Sequence, residues 1–115
     1  MYNMNHYIKL KLLIFFLIFN LINNSFCQNV EFTVKNIPNK KKEFKIARKN
    51  YEKGDFHYVQ QLYEAALDFF LKAYDFNSNN DDLNYKIGKC YLNTGFKANS
   101  LKYFEKAYQT NPKIN

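Results

Sequence analysis

The sequence predicts an all-α fold, with two tandem helix-turn-helix hairpins that follow a cleavable leader. Gly and Pro are scarce, at 3 and 2 of 115 residues, which favours long regular elements over a turn-rich β architecture. An apolar run near the N-terminus is preceded by basic residues and followed by polar ones. The remainder repeats itself with a period of about 34 residues, the length of a repeated helical hairpin, and we call this the repeat period.

Residues 1–27 have the three parts of a secretory signal peptide. Lys9 and Lys11 precede an apolar run over residues 12–22, which is interrupted at Asn20 and followed by a polar stretch. A bilayer core about 30 Å thick needs about 20 apolar residues in a helix, and this run is too short for that. We therefore expect export, with no transmembrane span in the mature chain.

The expected cleavage site follows from two small residues. Ser25 and Cys27 stand at the third and first positions before the bond, so the exported chain is expected to begin at Gln28. Acylation of Cys27 as a lipoprotein is the alternative, but Phe26 is larger than the residue such processing prefers before the Cys. Removal of Cys27 leaves Cys90 as the one thiol, so no internal disulfide is expected.

Residues 28–40 are predicted to be an extended or disordered lead-in, because a short alternation of apolar and polar residues ends at Pro38. A helical domain over residues 41–115 follows. Its four helices are expected at about Lys41–Val59, Tyr63–Asn77, Asp81–Asn93 and Lys97–Asn111. Asn79 or Asn80 suits the N-cap of the third helix, and acidic residues follow it at the positive end.

The internal repeat is clearest where residues 67–77 are placed on residues 101–111. Seven of these eleven positions are identical or exchange one aromatic residue for another. The same shift places Gly54 on Gly88 without a gap, and the two copies cover about 47–80 and 81–114. Each helix alone is marginal in water, so neighbouring helices must stabilise one another by packing.

Both copies resemble the tetratricopeptide repeat, and the second copy matches it without a gap. Its matching positions are Ile87 and Gly88, Tyr91, the turn residue Gly95, Phe104, Ala107 and the closing Pro112. It departs from the family pattern at Asn84, where the family has Trp, and at Ser100, where it has Ala. The first copy keeps Gly54, Ala66, Phe70 and Ala73, but places His57, Gln61 and Ser78 at the aromatic, turn and proline positions.

A broader resemblance covers the leader, the early hairpin and residues 83–92. These parts are similar to the N-terminal tetratricopeptide module of outer-membrane-protein-A-like envelope proteins of Gram-negative bacteria. The resemblance implies a location in the periplasm or at the outer membrane. A truncated N-terminal module of such an envelope protein is therefore the first alternative to a self-standing scaffold, and no peptidoglycan binding is carried over.

No catalytic constellation is found in the sequence, so we expect a non-catalytic protein without a cofactor or a metal. The mature part has one His, one Cys and no Gly-rich phosphate loop. The resemblance implies instead a protein-binding scaffold whose first helices line a concave groove. Its groove positions fall on Arg48, Tyr51, Asp55, Tyr58, Asp82, Tyr85, Lys89 and Leu92. A solvated helix face is the alternative reading of each one.

The expected partner is another protein or peptide of the cell envelope. The last helix has no following helix to cover Leu101, Phe104 and Tyr108, so self-association through that helix is a further expectation. Residues 35–53 carry eight basic residues against two acidic ones. An electrostatic adaptor that binds anionic partners through residues 40–42 is thus the second alternative, although a nucleic-acid partner is not expected.

Overall fold

The computed structural model describes residues 6–22, 29–32 and 40–114, and every regular element in these residues is an α-helix. The helices are α1 (His6–Ile22), α2 (Lys41–Val59), α3 (Tyr63–Tyr74), α4 (Asp81–Asn93) and α5 (Lys97–Thr110). The predicted all-α class is therefore confirmed for the described part of the chain. We call α2 and α3 the first pair, and α4 and α5 the second pair.

The helix boundaries agree with the sequence pattern except at the ends of α3 and α5. The bounds of α2 and α4 are those predicted, and α5 ends one residue before Asn111. For α3 the predicted start at Tyr63 is confirmed but the predicted end is wrong, because this helix ends at Tyr74 rather than Asn77. The backbone N–H of Phe76 donates to the carbonyl oxygen of Ala73 at 3.2 Å, so the chain tightens into a turn there.

The N-terminus of α4 is capped as the sequence predicts. Asn80 is the N-cap, and its Oδ1 accepts a hydrogen bond of 2.8 Å from the backbone N–H of Leu83. Asp81 and Asp82 occupy the first turn, where negative charge is favoured by the helix dipole. The cap fixes where the second pair begins relative to the first.

The core lies between the two pairs. Helices α2 and α3 pack against each other, α4 packs against α5, and α3 also packs against α4. The central cluster consists of Ala66, Phe70 and Ala73 from α3, Leu83, Ile87 and Cys90 from α4, and Tyr103 from α5. Small side chains within this set let the helices approach closely while the larger ones fill the space between them.

The same kind of close contact, between a glycine and a phenylalanine ring, occurs within each pair. A Cβ atom at Gly54 would lie 2.5 Å from the ring of Phe70, and one at Gly88 would lie 2.7 Å from the ring of Phe104. Any side chain larger than glycine would therefore meet the ring unless the helices moved apart. The contact in the second pair repeats the contact in the first after one repeat period.

The turns within the pairs also correspond. Gln61 has a φ of 60° and Gly95 a φ of 89°, so both lie in the left-handed region, and they occupy equivalent positions of the two copies. Glutamine is sterically penalised in this conformation, whereas glycine is not. The first turn thus has the shape expected of a glycine turn without having the glycine.

Helix α1 covers the apolar run of the expected leader, and its side chains between Tyr7 and Leu17 are exposed. The expected cleavage residues Ser25, Cys27 and Gln28 lie outside the described residues. Within the described parts of the chain, every helix is too short or too polar to cross a bilayer.

Enlarging Gly88 tests the close contact in the second pair. We expect Gly88→Leu to lower the free energy of unfolding by about 1 to 3 kcal/mol or more, because the new side chain must displace the Phe104 ring or separate α4 from α5. Urea denaturation followed by circular dichroism measures the change. Asn93→Leu, on an exposed position of the same helix, is the control and should stay within about 0.5 kcal/mol of wild type. Equal stability of Gly88→Leu and wild type would contradict the described contact.

Candidate functional site

Four of the eight predicted groove residues meet around one lysine that the prediction missed. The Nζ atom of Lys86 lies 2.6 Å from Asp55 Oδ1 and 2.9 Å from Asp82 Oδ2. It also donates a hydrogen bond of 3.0 Å to the hydroxyl of Tyr51, which in turn donates to Asp82. We call Lys86 with Tyr51, Asp55, Tyr58 and Asp82 the Lys86 cluster.

The cluster joins the first helices of the two pairs. Tyr51, Asp55 and Tyr58 are spaced at helical intervals along one side of α2, and Asp82 and Lys86 lie one turn apart on α4. The ammonium of Lys86 also lies 5.0 Å from the centre of the Tyr51 ring and 6.0 Å from that of Tyr58. The ammonium is therefore held by carboxylates, a hydroxyl and two aromatic rings.

The electrostatics of the cluster affect the pKa values of Lys86 and Tyr51. Burial alone would lower the pKa of Lys86, but its hydrogen bonds with Asp55, Tyr51 and Asp82 outweigh burial, and the pKa is raised. Burial, followed by the hydrogen bond to Asp82, raises the pKa of Tyr51 to about 12. Lys86 is therefore charged and Tyr51 neutral over the physiological range.

Tyr51 and Tyr85, which occupy equivalent positions of the two copies, both pack inside their own pairs. The ring of Tyr51 lies 5.9 Å from that of Phe70, and the ring of Tyr85 lies 5.7 Å from that of Phe104. Phe32 adds a second ring 5.2 Å from Tyr51. Both tyrosines therefore contribute to the packing of the helices within their pairs.

The remaining candidates lie outside the cluster. Arg48 is exposed and pairs with Glu52 one turn further along α2 at 2.9 Å. Leu92 is 41% exposed near the end of α4, and Lys89 is half-buried one turn before it. Tyr85, Lys89 and Leu92 therefore form a strip along α4 beside the Lys86 cluster.

The two groups with the most reactive chemistry serve as packing residues. Cys90 is fully buried in the core, and burial raises the pKa of its thiol to about 12, so the thiolate is scarce at neutral pH. The ring of His57 stacks on that of Phe69 with centres 5.5 Å apart.

Sequence reasoning missed Lys86 and the residues that contact the lead-in. Asp82 and Lys86 are oppositely charged and four residues apart on one helix, and this spacing could have identified Lys86. The residues that contact the lead-in are harder to predict, because Asn77 and Asn80 are 47 and 50 residues away from Val30 in the sequence. No local pattern connects residues that far apart.

Removal of one hydroxyl tests the Lys86 cluster. Tyr51→Phe keeps the ring contacts but removes the group that donates to Asp82 and accepts from Lys86. We expect the free energy of unfolding to fall by roughly 1 kcal/mol at neutral pH. Tyr108→Phe removes a hydroxyl from an exposed side chain of α5 and serves as the control, which should match wild type. Equal effects of the two changes would contradict the cluster.

The same variant should alter the response to alkaline pH. Folding raises the pKa of Tyr51 from 10.0 to about 12, so between these values the unfolded chain holds fewer protons than the folded chain. The contribution of this hydroxyl is therefore complete below pH 10.0 and is lost as the pH rises toward about 12. Urea denaturation across this range should show a smaller loss of stability in Tyr51→Phe than in wild type.

No protein-family model matches this chain, and neither a curated protein nor a solved structure gives a significant match.

Proposed function

We propose that this chain is an exported, non-catalytic scaffold for protein-protein interaction, built from two tetratricopeptide-type hairpins, α2–α3 and α4–α5. The observation that carries the proposal is the recurrence of one set of contacts after one repeat period. Gly54 meets Phe70 as Gly88 meets Phe104, and a left-handed residue follows in each turn. The matching tyrosine contacts on these two phenylalanines belong to the same set.

The proposed partner surface is the strip of Tyr85, Lys89 and Leu92 on α4, with Arg48 further away on α2. The Lys86 cluster links these two helices through charges and rings, so their relative position is fixed before a partner arrives. Such preorganisation lowers the entropy lost on binding. The strip combines an exposed aliphatic side chain, an aromatic ring and a cation, which suits an extended peptide or a helix with apolar and acidic side chains.

The proposed location is the periplasm or the outer membrane of a Gram-negative cell. The support for export is the three-part leader, whose apolar run coincides with α1. The alternative in which the chain is the N-terminal module of a larger envelope protein shares this location and the same scaffold role. Both versions place the helix pairs on the far side of the inner membrane.

The N-terminus of the exported protein tests the proposed processing. We expect mass spectrometry of protein recovered from the periplasm to show a chain that begins at Gln28, because Ser25 and Cys27 supply the small residues before the bond. Retention of residues 1–27, or of an acylated Cys27, would contradict this expectation.

A second candidate function is favoured by the exposure of the basic residues near the start of α2. Within residues 40–53 the exposed cations are Lys40, Lys41, Lys42, Lys45, Arg48, Lys49 and Lys53. Exposed cations on one helix attract anionic surfaces, and that attraction weakens steeply with salt. The second proposal is therefore an electrostatic adaptor for an anionic partner.

Truncation of Leu92 tests the proposed surface once crosslinking in envelope extracts has identified the partner. We expect Leu92→Ala to weaken binding by roughly 1 to 2 kcal/mol, about a five- to thirtyfold rise in Kd, because the side chain would be buried at the interface. Leu101→Ala is the matched control, since Leu101 is 59% exposed on α5, outside the strip. Titration calorimetry at low and high salt measures both variants.

The outcomes separate the candidates. An unchanged Kd for Leu92→Ala would reject the strip, and a loss of binding in Leu101→Ala would assign the contact to the open face of α5. Collapse of wild-type binding at high salt, with no effect of either leucine, would favour the basic residues of α2.

A further inference from the structure

Residues 29–32 of the lead-in lie against the turn between α3 and α4. The backbone N–H of Val30 donates to the carbonyl oxygen of Asn79 at 3.0 Å. The carbonyl oxygen of Val30 accepts from the Nδ2 atoms of Asn77 and Asn80, at 2.7 Å and 3.2 Å. Both backbone groups of one residue are thus bound, as they are when a receptor binds an extended peptide.

The residues on either side of Val30 are also engaged. The Oδ1 atom of Asn29 accepts a hydrogen bond of 3.0 Å from the backbone N–H of Asp81, in the first turn of α4. The ring of Phe32 lies 5.2 Å from the ring of Tyr51 on α2. A stretch of four residues therefore contacts α2, the turn after α3 and the start of α4.

Of the two asparagines that bind this stretch, Asn80 is also held by the start of α4. Asn77 and Asn80 are 5% and 7% exposed. The Oδ1 atom of Asn80 caps α4, which directs its amide group toward Val30. Asn84 donates to the carbonyl oxygens of Ser78 and Asn80 at 2.9 Å and 2.7 Å and so supports the turn from below. The amide group of Asn80 is therefore preorganised.

Comparison of the two pairs explains why the side-chain amide of Asn77 is available to donate to Val30. Its equivalent one repeat period later, Asn111, donates to Asp81 Oδ2 at 2.6 Å, at the start of the helix that precedes it. The residue of α2 that corresponds to Asp81 is Ala47, which has no side-chain acceptor. The buried amide of Asn77 therefore needs an acceptor from elsewhere, and a peptide carbonyl fills this role.

We propose that Tyr51, Asn77, Asn79, Asn80 and Asp81 form a binding site for an extended peptide, and that residues 29–32 are an internal ligand which occupies it. The partner peptide would carry an amide side chain, then the residue whose backbone is bound, and an aromatic residue two positions after it. The inference rests on the proposed scaffold function and adds a second peptide site, at the turn after α3, to the strip on α4.

A free peptide must compete with residues 29–32 for the site. A tethered segment acts at an effective concentration of the order of millimolar, so a free peptide of the same chemistry must overcome that advantage. Each hydrogen bond contributes about 1 kcal/mol net, so the internal contact is weak enough to be displaced. A partner with a longer or better-fitting segment would bind when residues 29–32 leave the site.

The test uses the full chain labelled with ¹⁵N and the blocked peptide acetyl-Asn-Val-Glu-Phe-amide. Titrations follow the side-chain amide resonances of Asn77 and Asn80 in wild type and in Phe32→Ala, which weakens the internal ligand. We expect the peptide to bind Phe32→Ala at least about tenfold more tightly than wild type. Addition of Asn77→Ala to that variant should remove most of the binding.

A matched peptide keeps the test independent of protein stability. Methylation of the valine nitrogen removes the N–H that would donate to Asn79 but keeps every side chain, so this peptide should bind Phe32→Ala at least about fivefold more weakly, the loss expected for one hydrogen bond. Equal binding of the two peptides would overturn the site even if Asn77→Ala fails to fold.

The other outcomes are equally decisive. The same affinity of the unmodified peptide for wild type and Phe32→Ala would overturn the internal ligand, and absence of binding to Phe32→Ala would overturn the site. Leu92→Ala in the Phe32→Ala background should retain peptide binding. A loss there would move the peptide to the strip on α4 and reject the present site, whereas failure of the strip alone leaves this titration unchanged.

Discussion

The ring of Phe70 rests on the backbone of α2 at Gly54, and the ring of Phe104 rests on α4 at Gly88 in the same way. These contacts set how closely the two helices of each pair approach. Because α3 also packs against α4, the spacing within the pairs determines where α2 lies relative to α4. The positions of the Lys86 cluster and of the site for residues 29–32 both depend on that spacing.

The Lys86 cluster restricts the relative orientation of α2 and α4 more than it stabilises the fold. The side chains of Asp55 and Asp82 are 41% and 46% exposed, and exposed ion pairs contribute little to the free energy of folding. Lys86 itself is only 17% exposed, so an arrangement that left it unpaired would carry a much larger penalty. The cluster thus penalises other orientations of α2 and α4, and the surface beside it keeps one shape.

The sequence predicted the elements well because their signals are local. Helix α4 begins at a capping asparagine and ends before a left-handed glycine, so both limits were readable. Four of the predicted groove residues surround Lys86, which the prediction omitted, since its partners on α2 are distant in the sequence. The hydrogen bond between Asn77 and Val30 requires the folded turn after α3. Because of the same turn, α3 ends earlier than the sequence predicted.

The left-handed residue at Gln61 has a consequence for the order in which the chain folds. Gly95 adopts its conformation at no steric cost, so the second turn can close through local interactions alone. Gln61 is penalised by roughly 1 to 2 kcal/mol in the same conformation, so the first turn closes less favourably than the second. The transition state for folding should accordingly contain α4 and α5 in near-native form, with α2 and α3 added afterwards to that nucleus.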